Sequence, residues 1–326
     1  MPPQPSIMTI GNFDGFHRGH QHILALAKSL ADKHDDKLIA ITFDPHPIAI
    51  LNPGKTPTRL TTIERRIELL KAAGATEVVV LKPTRQLLAE SPEQFVQQIV
   101  DQYHPIAFVE GADFRFGHER AGDINLLRQL AEQYNFTVHT PDTLNITLTN
   151  NHIAPVRSSL IRWLIGQGRV ADAAVSLGHP YTLTASVVRG AQMGRKIGFP
   201  TINLCNGHTA AFQLPLHGVY AGTATFPHLP DQIFTAAISV GLKPTFENKQ
   251  KQLFIEAYLL DTDLDLYDKT VHLSFTAWIR DQLAFSSVDD LIAQMHRDVA
   301  QVRCFALKNR HEPLAVTALQ SQSDSR

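Results

Sequence analysis

His17 and His20 sit three residues apart in the segment GNFDGFHRGH (residues 11–20), among Gly11, Asn12, Gly15 and Gly19. Two imidazoles on one helical turn can hydrogen-bond phosphate oxygens as charge develops on them. Small residues around them let a ligand approach the backbone closely. The segment matches neither the Walker pattern GxxxxGK[ST] nor GxGxxG. Taken alone, HxGH also fits a glycine-rich turn whose histidines merely cap a helix. Its position separates the two readings. An apolar run, SIMTI, stands directly before it, and a helical pattern, HILALAKSLADK, follows. That is the strand–loop–helix position at which a doubly wound sheet binds nucleotides, with helix-start N–H groups facing the phosphates. The chemistry expected there is nucleotidyl transfer, in which an acceptor's own phosphate attacks the α-phosphate of a nucleoside triphosphate. No nucleophilic side chain is then required.

Three further segments fall where the same ligand could touch them. PVRSSLIRWL places Ser158, Ser159 and Arg162 at a helix start, a set suited to a triphosphate. TFDPHP (residues 42–47) ends a strand, and EGADFRFGHERAGD (residues 110–123) offers aromatic rings and Asp113 as a polar anchor. A second chemical cluster lies later in the chain. GAQMGRKIGFPTINL (residues 190–204) sets Gly190, Gly194 and Gly198 around Arg195 and Lys196, a basic loop able to cover phosphates. Thr201 and Asn203, alternate residues of an extended segment, share one face and can complete a Mg²⁺ shell with phosphates and waters. Glu256 interrupts the core-like run LFIEAYLLD. A carboxylate facing a barrel interior is costly unless it is paired or used, and such a group can take the proton of a substrate hydroxyl during phosphoryl transfer; the other reading is an outward-facing strand glutamate, which the segment taken alone favours.

The elements that must position these residues follow from periodicity. SIMTI, LIAITF, EVVVL, IAFVE and FTVHT are short β-branched runs, with amphipathic helical patterns between them. Thr61 with Glu64 and Ser91 with Gln94 fit capping boxes, and Pro92 suits a first helical position. The alternation predicts a parallel sheet covered by helices on both faces. After a helical pair near residues 158–177, five or six strands run on without helices to residue 280, predicting an antiparallel barrel or sandwich. One long helix, VDDLIAQMHRDVAQVRCFALKN, with Ser286 or Ser287 at its N-cap, closes the fold. The expected organisation is an α/β chain of two domains, 1–180 and 181–307, with the boundary near 178–183 and a polar tail over 308–326.

Composition excludes several classes. The chain has 326 residues, 44% hydrophobic and 19% charged, with a net charge of −1, which gives no global field for nucleic acid or an anionic membrane. No apolar run approaches the roughly 18 residues that span a bilayer. Two cysteines, Cys205 and Cys304, lack CxxC spacing and are expected as reduced thiols of a cytoplasmic protein.

Taken together, GNFDGFHRGHQ, TFDPHP, GADFRFG and SSLIR resemble the adenylyltransferase module of the bacterial bifunctional riboflavin kinase/FMN adenylyltransferase (FAD synthetase) family. GRKIGFPTIN, GVYAG, VGLKPTF, EAYLLD, DLDLYDK and FTAWIRDQLAF resemble its riboflavin kinase module, in the family's order. The resemblance implies a Rossmann-like nucleotidyltransferase domain followed by a β-barrel with a closing helix. It implies two Mg²⁺- and ATP-dependent steps on small molecules, riboflavin to FMN in the barrel and FMN to FAD in the first domain. Gly11, Asn12, His17, Gly19 and His20 would bind ATP with Ser158, Ser159 and Arg162; Phe43, Pro45, His46, Asp113 and Phe114 would meet the flavin. In the barrel, Gly194, Arg195 and Lys196 would serve ATP, Thr201 and Asn203 the metal, Arg280 the flavin, and Glu256 would be the base. The chain departs from the family pattern at Arg157, Ile202, Ser239, Asp268 and Gln282, where serine, alanine, asparagine, glycine and glutamate are usual. A flavin- or nucleotide-binding regulator without catalysis is the alternative class; retention of Thr201 and Asn203 together with Glu256 weighs against it.

Overall fold

The structure, a computed structural model, describes residues 4–190, 193–204, 211–244, 251–262 and 264–311. Cys205, the Thr245–Phe246 end of VGLKPTF, Asp263 and residues 312–326 of the tail lie outside the described residues. The chain divides into two compact units, Met1–Arg162 and Trp163–Arg326.

The first unit is built on β1 (Ser6–Ile10), α1 (Arg18–His34), β2 (Lys37–Phe43), α2 (Pro47–Leu51), α3 (Ile63–Ala72), β3 (Glu77–Leu81), α4 (Arg85–Leu88), α5 (Pro92–Tyr103), β4 (Pro105–Val109), α6 (Ile124–Tyr134) and β5 (Thr137–His139). The strands form a parallel sheet in the order β3-β2-β1-β4-β5. Alternate residues explain its two layers. Met8, Ile10, Ile41 and Phe108 pack beneath α5 and α6, whereas Ile7, Leu38, Ala40 and Val109 pack beneath α1 and α3. All five residues of β1 are buried because it is central. A small hairpin follows, β6 (Asn145–Thr147) with β7 (Ile153–Pro155), whose three-residue strands are too short to show a hydrophobic period in the sequence. Ser91 and Gln94 form the expected capping box on α5. The start of α3 differs from expectation by one residue: Thr62 caps it by accepting from Arg65 N. Thr61 is withdrawn into the core, where its hydroxyl serves a buried carboxylate described below.

α7 (Ser158–Gly166) spans the division between the units, and α8 (Val170–Leu177) packs on the last barrel strand. The second unit contains β8 (Tyr181–Val188), α9 (Met193–Lys196), β9 (Thr201–Leu204), β10 (Gly218–Phe226), β11 (Leu229–Pro244), β12 (Lys251–Leu259), β13 (Thr270–Asp281) and α10 (Val288–His311). Six strands close a barrel in the order β10-β11-β12-β9-β8-β13. Its interior is filled by Tyr220, Ile238, Val240, Ile255, Ala257, Leu273 and Phe275, all 0–1% exposed. Ala237, Tyr258, Ala221 and Val302 instead pack between the outer wall and α10. Gly222 is required by a close approach, since a Cβ there would lie 2.1 Å from the Ser274 carbonyl oxygen. Ser287 caps α10 by accepting from Asp290 N at 3.1 Å.

Asp268 has φ +60°, a left-handed backbone that explains the glycine usual in the family at this position. Asp268→Gly is expected to leave the barrel's melting temperature unchanged or slightly raised. Asp268→Val forces a β-branched side chain into the same conformation and should lower stability by about 1–2 kcal/mol, several degrees by calorimetry.

Candidate active sites

β1 ends at Ile10 and α1 starts at Arg18, so residues 11–17 cross the carboxyl end of the central strand. Strand order reverses there, between β1 and β4, which opens the crevice where parallel sheets bind ligands. The turn is held less by its glycines than by its phenylalanines. Phe13 (φ 46°) and Phe16 (φ 38°) adopt left-handed backbones with both rings buried under α1 and α3, while of Gly11, Gly15 and Gly19 only Gly15 has a positive φ. Buried aromatic packing can hold a strained turn in a conformation that local propensity disfavours.

His17 does cap α1: its Nδ1 accepts from His20 N at 3.3 Å. The capping and ligand readings are therefore compatible. With its lone pair on Nδ1, His17 carries its proton on Nε2. The His17 and His20 rings stack at 3.6 Å, and Phe13 meets His20 edge-on. Burial lowers the His17 pKa to about 4 and drives His20 well below its ordinary value, so both rings are neutral. Asn12 Oδ1 and His20 Nδ1 are buried with no hydrogen-bond partner among the described residues, as polar atoms awaiting a ligand would be. His46 caps α2 through Nδ1, which accepts from Ile48 N at 3.1 Å, and burial lowers its pKa too.

Asp14, for which the sequence gives no local signal, anchors this region. Its carboxylate accepts from Leu60 N and Thr61 N at 3.0 Å, from Thr61 Oγ1 at 3.2 Å, and from Arg162 Nη2 at 2.5 Å. Arg66 Nη2 lies 3.6 Å away, and Arg66 also donates to Phe43 O at 3.0 Å. Arg162 Nε donates to Thr58 O at 2.6 Å. Arg162, expected as a phosphate clamp, is thus held in a buried ion pair at the cavity edge. Ser158 Oγ donates to the Asp14 carbonyl at 3.2 Å, leaving its lone pairs free to accept. Glu110, just past β4, accepts from Ile10 N at 2.7 Å, and burial pushes its carboxyl well above the ordinary range.

Two cavities open here. One of about 670 Å³ is lined by His17, Gly19, His20, Arg157, Ser158, Ser159 and Arg162, at the starts of α1 and α7. The other, about 380 Å³, is lined by Phe43, Phe95, Phe114, Phe116, Leu87 and Gly11. Asn12, His46 and Asp113 line both. Gly11 therefore borders the apolar cavity rather than the polar one, and Pro45 borders neither.

In the barrel, Glu256 takes the outward-facing of the two orientations the sequence left open. Ile255 and Ala257 fill the interior side, and strand alternation turns Glu256 outward, half-buried, toward α10. It pairs across the sheet with Asn203 of β9 and Ser239 of β11, and Tyr258 pairs with Thr201, so these residues share one face. That face floors a cavity of about 440 Å³ roofed by Phe285, Leu291 and Met295. A second cavity, about 370 Å³, is lined by Arg189, Arg195, Thr262, Asp265 and Tyr267, with Arg189 lying 4.7 Å over the Tyr267 ring. Thr201 lines both cavities and Gly194 the first; Lys196 lines neither. Arg280 borders the larger cavity while pairing with Asp298 of α10 at 2.7 Å. Ser239 and Gln282, both departures from the family pattern, bond each other: Gln282 Nε2 donates to Ser239 Oγ at 2.9 Å. Among the described residues no cluster of three or more His, Cys, Asp or Glu could hold a metal alone. A hydroxyl and an amide oxygen on one strand face instead suit Mg²⁺ that draws its remaining ligands from phosphates and water.

A family profile described as FAD synthetase matches residues 1–153, and one described as riboflavin kinase matches residues 177–306. Proteins named bifunctional riboflavin kinase/FMN adenylyltransferase are similar over most of their length. The one from Buchnera aphidicola of Schizaphis graminum is 31% identical over 91% of this chain and 93% of that protein. Those of Escherichia coli K12 and Bacillus subtilis 168 are each 30% identical, over 93% and 90% of this chain and 94% and 90% of theirs. A Streptococcus pneumoniae crystal structure titled macrolide-efflux protein superposes with a TM-score of 0.81 at 27% identity, over 93% of this chain and 95% of that one. Among the described residues here, no helix is long and apolar enough to cross a membrane.

Neutral burial of His17 and His20 sets a pH dependence. Below about pH 6.5 the unfolded chain takes up protons on both rings, while folded His17 does not until about pH 4 and folded His20 is likewise held neutral well below its ordinary value, so their contribution to stability falls as the pH drops through that window. Glu110 acts in the opposite sense. Denaturation midpoints of His17→Gln minus those of the unsubstituted protein should therefore rise as pH falls from 6.5 to 4. Asp14→Ala leaves the Arg66 and Arg162 charges without their carboxylate and is expected to lose about 3–5 kcal/mol by denaturant titration.

Proposed function

The chain belongs to the bifunctional riboflavin kinase/FMN adenylyltransferase family, and from that premise we propose how its residues divide the two reactions. It phosphorylates riboflavin to FMN and adenylylates FMN to FAD, each time with ATP. The observation carrying the residue assignment is that each unit holds two cavities with a common wall, one polar or basic and one mainly apolar.

In the barrel, the flavin occupies the cavity against α10 and ATP the cavity beside Arg195. Glu256 accepts the proton of the ribityl 5′-hydroxyl, whose oxygen attacks the γ-phosphorus; ADP leaves. Thr201 and Asn203 would hold Mg²⁺, which supplies charge to the phosphates. Ser239, held by Gln282, and Asn203 flank Glu256 and orient it.

In the first unit, FMN takes the apolar cavity, its rings against Phe43 and Phe114, and ATP takes the polar one. An FMN phosphate oxygen attacks the α-phosphorus, the bridge to the β-phosphate breaks, and pyrophosphate leaves toward the start of α7. Neutral His17, with Nε2–H, and His20 donate to the phosphates without taking or giving a proton, and the N–H groups of both helix starts add partial positive charge. ATP dependence and the free, exposed Cys304 fit a cytoplasmic location.

Purified protein with riboflavin, ATP and Mg²⁺ is expected to accumulate FMN and then FAD by chromatography, with EDTA stopping both. Glu256→Ala should abolish FMN formation and spare FAD formation from supplied FMN. His17→Ala and His20→Ala should do the reverse, lowering FAD formation by about 10²–10³-fold. Loss of both activities in Glu256→Ala, or neither, removes that residue from the assigned role.

A further inference from the structure

The two cavities of the first unit share five lining residues: Asn12, His46, Asp113, Arg115 and Arg120. On the assignment above, this wall is where the FMN phosphate meets the α-phosphate of ATP, and two anions are pressed together. Positive charge near it is mostly committed elsewhere. Arg66 and Arg162 both serve Asp14. Arg115 Nη1 donates to Phe114 O at 2.9 Å. The histidines are neutral by burial. Arg120 differs. Among the described residues its guanidinium has neither a hydrogen bond nor an ion pair, and its charge acts on His46.

The backbone beneath Arg120 is strained. Glu119 (φ 51°) and Arg120 (φ 60°) are consecutive non-glycine residues in the left-handed region. Such residues each cost about 1–3 kcal/mol and persist only where surrounding contacts hold them. Those contacts are present. Phe116 and Gly122 exchange backbone hydrogen bonds at 3.1 and 2.9 Å and close the loop, Arg120 N donates to Gly117 O at 3.0 Å, and His118 N donates to Glu90 O at 2.7 Å. Glycine at residues 119 and 120 would relieve the strain, yet the chain places an acid and an arginine there. An exposed arginine on a pinned, strained loop at a wall between two anion-bearing ligands has a chemical use.

We propose that Arg120 binds the FMN phosphate at this common wall and offsets its repulsion from the α-phosphate, as a substrate-binding residue of adenylyl transfer. The step balances without a proton. The flavin phosphate oxygen forms the new P–O bond, and the α–β bridging oxygen departs with pyrophosphate. Arg120 contributes two parallel N–H donors and charge, and neither is consumed.

The test is FAD formation from FMN and ATP by Arg120→Ala, Arg120→Gly and Arg120→Lys in the full chain. Arg120→Ala and Arg120→Gly should raise the KM for FMN about tenfold or more, the loss expected for a charge-assisted hydrogen bond, with the KM for ATP within about twofold. Arg120→Lys keeps the charge but not the fork, and should recover part of the loss. FMN formation from riboflavin should be unchanged in all three. Arg120→Gly suits the left-handed backbone, so its melting temperature should not fall, and its defect cannot be assigned to misfolding. An unchanged KM for FMN in both Arg120→Ala and Arg120→Gly, or a rise confined to the KM for ATP, overturns the assignment of Arg120 while adenylyl transfer stands. Absence of FAD from the unsubstituted protein overturns both.

Discussion

One buried carboxylate organises the nucleotide-binding end of the first unit. Asp14 joins the turn after β1 to the segment before α3 through two backbone N–H groups, and to α7 through Arg162. Its partners lie around the start of α3 and on α7, so the carboxylate sets where those elements meet the turn after β1. Its near-complete burial makes the arrangement stiff. A lone charge there would be expensive, and two arginines with three hydrogen-bond donors compensate it. His17, His20 and Ser158 are positioned as a consequence, being carried by the elements that Asp14 ties together.

That constraint also decides how charge is distributed. Two arginines bound to one carboxylate leave about one net positive charge in the interior of the site, close to where a triphosphate would lie. The imidazoles stacked beside it are uncharged, since burial and mutual proximity disfavour protonation. Beside those arginines the polar cavity is lined in part by neutral groups, among them His17 with its proton on Nε2. Donors already in place need little rearrangement as charge shifts in the transition state.

The barrel solves a related problem with different parts. Its interior is filled, among the described residues, by aromatic and aliphatic side chains. The cavity bordered by Glu256 lies instead on the outer wall, where α10 supplies an apolar roof and the Arg280–Asp298 pair secures that roof to β13. Alternation along β12 puts Ile255 and Ala257 inside and Glu256 outside, so one strand contributes to the core and to the site without conflict. Thr201 at the border of both cavities occupies the place that Asn12, His46 and Arg120 hold in the first unit.

The primary structure alone determined the main strands and helices, though not the β6–β7 hairpin, and with them the parallel sheet, the capped start of α5 and most of the groups bearing chemistry, because hydrophobic period and helix-capping preferences are local properties. It singled out His17, Ser158, Thr201 and Glu256 by residue type and neighbours. Three things depended on residues distant in the chain. Asp14 gave no local signal, since its partners lie 46 to 148 positions away. Thr61 lost its capping role to Thr62 because that same carboxylate draws its hydroxyl inward. The orientation of Glu256 stays open in the sequence until barrel closure defines which face of β12 is inside. Strain at Phe13, Phe16, Glu119 and Arg120 was equally hidden, for a left-handed backbone at a non-glycine residue is imposed by tertiary packing and cannot be read from the residue that bears it.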